Sequence, residues 1–395
     1  MAFRILLVFF FALVTINLEI VPGVAKANPI EKGLLLVCGL AFLATRRING
    51  VNLLLLGLLG FATFVAAAAT GYSGFETGRY LRGLVSLVVP WLFLAAEPTT
   101  RDRDLLIRIF SWLPLCIIGL GAIYSAAGLH PLWHTDFLGA PRLQGSTIPA
   151  GLGSVCFVGT FAAMLGAALN GGRLHFGLAA LNFVILILSA ARMSLALSLV
   201  LCATVYLTMM RKNPVSLLAM AVAGPVVAIG MLFTIGQPLL TRFESQSTSG
   251  RDLIWDYLAA WLDKFPAFGV GLGHQIVLLP EDIMQKTGTI AAHNEYLRLA
   301  VETGYFGVTA IFGCLALMCL NIWCSPRVAY RPVFLVACLT FFVYCWTDNA
   351  ISSTNIPFVL VLASFAFARR EGAAAIPSPV PAAAVAHRGW KHEGA

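Results

Sequence analysis

Long apolar runs, separated by short polar stretches, occupy most of the chain. A helix that crosses a bilayer needs about 20 mostly apolar residues. Twelve runs approach that length: 4–22, 30–46, 51–70, 80–97, 105–127, 148–170, 175–191, 194–211, 214–235, 303–324, 331–347 and 354–369. The second, seventh and eleventh are short, and the turn between the seventh and eighth is very tight. The pattern predicts an all-α, polytopic membrane protein with about 12 transmembrane helices. One connection, 236–302, is long enough to carry structure of its own. Inside it, 252–262 (DLIWDYLAAWL) sets apolar residues at helical spacing with polar ones opposite, which predicts an amphipathic helix at the membrane surface. Gly269, Gly271 and Gly273 then predict a flexible turn. The stretch from His293 to Ala300 predicts a short helix leading into the tenth run. The expected organisation is transmembrane helices 1–9 over 1–235, a loop with amphipathic helices over 236–302, transmembrane helices 10–12 over 303–370, and a disordered Ala/Pro-rich tail over 371–395.

Composition excludes a soluble domain. The chain is 59% hydrophobic and 11% charged, against about 25% charged residues in soluble proteins. A net charge of +8 would point to nucleic acid in a soluble protein. Here the basic residues sit at the ends of apolar runs and read as topological anchors. With the N-terminus inside, inner segments hold fifteen Lys and Arg and outer segments eleven, five of them in the long loop. Long loops do not follow the positive-inside bias, so both termini are expected in the cytoplasm and 236–302 in the periplasm. Ala25-x-Ala27 resembles a signal-peptidase site, but an even number of spans requires that the first helix be kept. The nine cysteines contain no CxxC pair and read as packing residues, neither a disulfide framework nor a zinc site. His130, His134 and Asp136, in the outer segment 128–147, have unspecific spacing and Pro131 among them, so no metal site is expected.

Four outer arginines carry the chemical interest: Arg142, Arg192, Arg242 and Arg251. Arg192 lies in the tight turn Ser189-Ala190-Ala191-Arg192-Met193-Ser194, against the charge bias. It would either snorkel to lipid headgroups or clamp an anionic lipid-linked group, for which a guanidinium fork is suited. Arg251 stands just before the amphipathic helix, where Ser249 would cap and free backbone N–H groups would attract phosphate. The plainer alternative is a pair with Asp252 or Asp256. His293, followed by Asn294 at a helix start, would serve as a base near neutral pH, or as a hydrogen-bonded structural histidine. His274, beside the glycine turn, is a weaker candidate for support.

Ser249-Gly250-Arg251-x3-Trp255, then Pro266, Gly269-x-Gly271-x-Gly273 and His293-Asn294-x2-Leu297, resembles the O-antigen ligase and polymerase superfamily of integral-membrane glycosyltransferases. The ligase branch has a sharper signature: His, then Asn, Ser or Gln, nine residues, Gly, two residues, then Gly, Thr or Tyr. His293, Asn294, Gly304 and Gly307 match it. The resemblance implies a GT-C-like fold with one large periplasmic loop in the bacterial inner membrane. It implies transfer of O-antigen glycan from undecaprenyl diphosphate to a sugar hydroxyl of lipid A–core oligosaccharide, with no cofactor, metal, nucleotide or nucleic acid. The family's arginines map onto Arg192 and Arg251 and its catalytic histidine onto His293. Arg142 sits where relatives carry an arginine, and Asn294, Ser249 and His274 would be supporting residues. Ala191 before Arg192 departs from the family's Ser-x-Ser-Arg pattern without displacing the arginine. Rival readings are an O-antigen polymerase, a protein O-oligosaccharyltransferase and a transporter. Glu19 and Asp348 lie only near span ends and no halves repeat, which weighs against transport.

Overall fold

The computed structural model describes residues 2–20, 28–135, 139, 141–210, 251–325, 328 and 330–366. The ninth predicted run, the Ala25-x-Ala27 site, Asp136, Arg242, Ser249 and the 371–395 tail lie outside the described residues. In chain order the helices are α1 (Ala2–Ile16), α2 (Asn28–Thr45), α3 (Gly50–Ala69), α4 (Thr77–Val88), α5 (Thr100–Ala126), α6 (Pro149–Asn170), α7 (Arg173–Leu188) and α8 (Arg192–Val205). After the undescribed stretch come α9 (Arg251–Lys264), α10 (Gln275–Leu278), α11 (Glu281–Thr287), α12 (Glu295–Cys324), α13 (Arg331–Cys345) and α14 (Phe358–Ala366). Two short antiparallel ribbons accompany them: β1 (Arg47–Ile48) with β2 (Ala96–Glu97), and β3 (Trp133–Thr135) with β4 (Pro141–Leu143). Among the described residues, five helices are long and apolar enough to cross a membrane: α3, α5, α6, the Arg192–Met209 helix and α12. The protein is an all-α, multi-pass membrane protein.

Some boundaries differ from the sequence reading. The first helix stops at Ile16 because Asn17 adopts a left-handed φ of 46°, a conformation that ends helices. The Asn17 side-chain amide then donates to the Ser146 carbonyl at 2.8 Å. The fifth helix starts earlier than predicted, at Thr100, because Thr99 and Asp102 form a reciprocal capping box. Pro357 immediately precedes the last helix, which begins at Phe358 instead of 354.

The bundle has two chemically different ends, and α1 runs between them. At one end the buried Asp102 carboxylate accepts from Arg4 at 3.0 Å and Arg46 at 2.6 Å, tying α1, α2 and α5 together. These two arginines therefore have a structural partner in addition to their topological value. At the other end Asn17 meets Ser146. The α6 helix is the central post, buried along most of its length, as expected of a helix that is apolar on every face.

The α12 helix is broken at Gly304, whose φ of 65° and ψ of −179° are not helical. Such a backbone is open essentially to glycine alone. The break frees the Val301 and Glu302 carbonyls and the Tyr305 and Phe306 amides. The loop 266–271 satisfies all four: Val270 and Gly271 N–H donate to Val301 and Glu302 at 2.9 and 2.8 Å, while Tyr305 and Phe306 N–H donate to Pro266 and Ala267 at 2.8 and 3.3 Å. The glycine turn has φ of 68°, 104° and 82° at Gly269, Gly271 and Gly273. Expected to be flexible, it is instead inserted into the helix break, with Gly269 N–H bonded to Phe265 and its carbonyl held by Thr70 Oγ1. A Cβ on Gly304 would lie 2.2 Å from the Ala267 carbonyl carbon. Gly304→Ala is expected to cost ~3 kcal/mol or more and to lower the thermal unfolding midpoint of the detergent-solubilised protein sharply. An unchanged midpoint would mean that the break is dispensable.

Candidate active site

The helix α9 has an apolar stripe of Ile254, Leu258 and Leu262. It was expected to lie on the membrane. The stripe packs instead against protein, in a cluster with Val270, Leu278, Leu279, Ala292, Ala300 and Val301. That packing gives the Arg251-x3-Trp255 spacing a physical meaning, because residues four apart share a helix face. The Trp255 indole N–H donates to the Ala292 carbonyl at 2.7 Å, fixing the backbone immediately before His293. One turn earlier, Arg251 Nη1 donates to the Thr347 carbonyl at 3.4 Å, immediately before Asp348. So α9 braces both halves of the site.

His293 has a left-handed φ of 50°, an uncommon and costly state for a non-glycine residue. Asn294 follows as the N-cap of α12, its side-chain oxygen accepting from Leu297 N–H at 3.1 Å. The His293 ring faces Asp348, with Nδ1 3.2 Å from Oδ1. An ionised carboxylate only accepts, so opposite one Nδ1 is the donor, and the neutral ring then has its lone pair on Nε2. Thr289 Oγ1 lies 3.5 Å from Nε2. Asp348 is itself held by Asn349 N–H at 2.8 Å.

The arginines approach from the other side. The turn between α7 and α8 contains Ala190 at φ 51°, and Arg192 is the first residue of α8. Arg142, on β4, donates from Nε to the Ser189 carbonyl at 3.0 Å and is thereby fastened to that turn. Ser194 and Tyr344 share a hydroxyl hydrogen bond of 2.7 Å that joins α8 to α13, the helix leading to Asp348. Burial pulls the Arg251 guanidinium below its usual range; Asp348 opposes that shift and Arg192 adds to it. The structure therefore brings Arg142, Arg192, Arg251, Asp348 and His293 to one end of the bundle.

His274 is not brought there. Its Nε2 accepts from Glu76 N–H at 2.8 Å, its Nδ1 lies 3.0 Å from the Gly271 carbonyl, and its ring stacks on Phe75. Both nitrogens serve the fold, pinning the start of α4 to the glycine turn. His130 Nε2 lies 3.2 Å from the Thr147 carbonyl, and His134 pairs across the ribbon with Arg142. Among the described residues no group of three His, Cys, Asp or Glu side chains is placed to hold a metal.

Residues 177–312 match a family model described as O-antigen ligase. The match supports assignment of the chain to the O-antigen ligase family. It spans Arg192, Arg251, His293 and Gly304, and leaves Arg142 and Asp348 outside its bounds. The matched segment is about a third of the chain, and the match points to ligase/polymerase-type activity of a glycosyltransferase-like membrane enzyme on lipid-linked glycans. Among curated proteins, none matches the chain.

Two features of the candidate site escaped the sequence reading. Asp348 looked like an ordinary charge at a span end, and only its contact with His293 distinguishes it. Arg298 was counted among loop charges, yet it is buried and clamped between Glu295 and Glu302, with Nη1 2.6 Å from Glu302. The spacing of three and four residues was the available signal. Trp255→Phe keeps most of the ring but removes the bond to Ala292. It is expected to cost about 1 kcal/mol and to raise amide hydrogen exchange across 289–295. Unaltered exchange there would show that α9 does not hold His293.

Proposed function

We propose that this protein is an O-antigen ligase. It would transfer O-antigen glycan from undecaprenyl diphosphate to a sugar hydroxyl of lipid A–core oligosaccharide, at the periplasmic face of the bacterial inner membrane. The single observation that carries this reading is the His293–Asp348 pair beside Arg251 and Arg192, within a chain that carries the ligase signature His293, Asn294, Gly304 and Gly307.

In the proposed reaction the acceptor hydroxyl gives its proton to His293 Nε2 while its oxygen attacks the anomeric carbon. Asp348 orients the ring and stabilises the positive charge that the imidazole gains, the logic by which a carboxylate supports a histidine base. The bond from the anomeric carbon to the diphosphate oxygen breaks, and its electron pair leaves on that oxygen. Arg192 and Arg251, with Arg142 behind them, would stabilise the charge as it develops, where stabilisation raises the rate. A single displacement inverts the anomeric carbon. Fixed guanidiniums would do here what a metal does in many nucleotide-sugar transferases, and neither nucleotide nor ATP takes part. The periplasmic placement, with both termini cytoplasmic, is supported by the Lys/Arg distribution along the short segments.

The decisive test is a lipopolysaccharide gel of a strain lacking the protein, with immunodetection of polyprenyl-linked glycan. The proposal predicts lipid A–core without O-antigen and long polymer accumulating on undecaprenyl diphosphate. Lipid A–core carrying a single repeat unit would instead identify a polymerase, and an unchanged ladder would reject both. In the complemented strain, His293→Ala and Arg251→Ala are each expected to abolish ligation, at normal membrane levels of the protein. Full ligation by either variant would remove the mechanism.

A further inference from the structure

His293 has a left-handed backbone, and such a conformation persists only where its surroundings over-determine it. The residues just before it, 288–292, form neither helix nor strand, so side chains must supply the restraint. Trp255 holds the Ala292 carbonyl. Two residues earlier, the Ile290 carbonyl accepts from Gln275 Nε2 at 3.1 Å. A carbonyl only accepts, so the amide nitrogen of Gln275 is the group that faces it. Gln275 opens α10 and is 1% exposed. Its own N–H donates to Glu302 Oε1 at 3.1 Å, and both ring nitrogens of the preceding His274 are engaged. The backbone from which the Gln275 amide reaches is therefore fixed.

The same bonds close a ring around His293. Glu302 Oε2 accepts from Arg298 Nη1 at 2.6 Å, and Arg298 grips both oxygens of Glu295 through Nε and Nη2. Glu295 is the first residue of α12, two places after His293. From Ile290 the contacts pass through Gln275, Glu302, Arg298 and Glu295 and return to His293 from its other side. All four of these side chains are buried. Two carboxylates and one guanidinium in a buried cluster lose hydration, and such a cluster is often no more stabilising than well-packed apolar residues. Its geometric consequence is larger. It fastens the first two turns of α12 and the 290–292 backbone to one residue, Gln275, and His293 lies between the two.

We propose that Gln275 is a positioning residue for His293, holding the imidazole against Asp348 through its bond to Ile290. This rests on the reading of His293 as the base. The test is single-turnover transfer and donor binding by the purified full chain carrying Gln275→Met. That substitution keeps the length of the side chain and the backbone N–H to Glu302, and removes only the donor to Ile290. Transfer at saturating donor and acceptor is expected to slow by about 10–100-fold, the scale on which a misplacement of ~1 Å acts, with donor Kd unchanged. Gln275→Asn, polar but one methylene short of Ile290, should be slowed in the same way. Amide hydrogen exchange across 290–294 should rise in both variants. In the His293→Ala background, Gln275→Met should slow the residual transfer no further, because a residue that acts only through the imidazole has nothing left to act on. Wild-type transfer by both Gln275 variants, or a full further loss in the His293→Ala background, would overturn the proposal. Unaltered exchange across 290–294 would overturn it as well, and that measurement needs no substrate. Failure of the base assignment registers separately, as transfer at the wild-type rate by His293→Ala alone.

Discussion

A helix interrupted inside a membrane protein must recover the hydrogen bonds it gives up, because lipid offers none. At Gly304, α12 gives up four backbone partners, and 266–271 returns all four. Most of the site geometry depends on that exchange. It fixes the glycine turn against the bundle and places α9 over its partners, Ala300 and Val301 among them. With α9 so placed, Trp255 holds Ala292 and Arg251 reaches Thr347. The ligase-type signature thereby acquires a mechanical reading: His293 is the group presented, Asn294 caps the helix that presents it, and Gly304 makes the break that anchors the whole segment.

Electrostatics then set what the site tolerates. Guanidiniums drawn together in a partly buried place repel one another and lose hydration, and Arg251 registers both effects. Asp348 offsets part of that charge while also facing His293. Shared between a cation and an imidazole, one carboxylate would neutralise too little to discourage an anionic ligand yet enough to orient the base. In the proposed reaction the diphosphate supplies the remaining negative charge. The arrangement is organised before any substrate arrives, which is the condition under which fixed charges stabilise a transition state well.

Much of the scaffold was legible in the spacing of apolar residues, because burial in a bilayer or a bundle imposes that spacing directly. Details set by distant contacts were not. The end of α1 depends on Asn17 meeting Ser146, 129 positions away. Periodicity showed that α9 has an apolar face, but it carries no information on whether protein or lipid covers that face. The 128–147 stretch hid a ribbon too short for a strand signal. At the site, Arg192 stood out against the charge bias, Arg251 for its place before the amphipathic helix, and His293 for its place at a helix start within the ligase-type signature. Asp348 has no such mark, and it gains significance only from a partner 55 positions earlier in the chain. His274 illustrates the converse, a conspicuous histidine whose nitrogens are both engaged by backbone.

The central claim is that one site contains two separable parts, a cationic clamp for the donor and a histidine base for the acceptor. Donor binding and single-turnover transfer, measured side by side on purified His293→Ala, address it directly. The account predicts a donor Kd close to that of the wild type, with transfer slowed by about 10²–10⁴-fold, the usual contribution of a general base. Transfer at the wild-type rate, or loss of donor binding in parallel with loss of transfer, would contradict it.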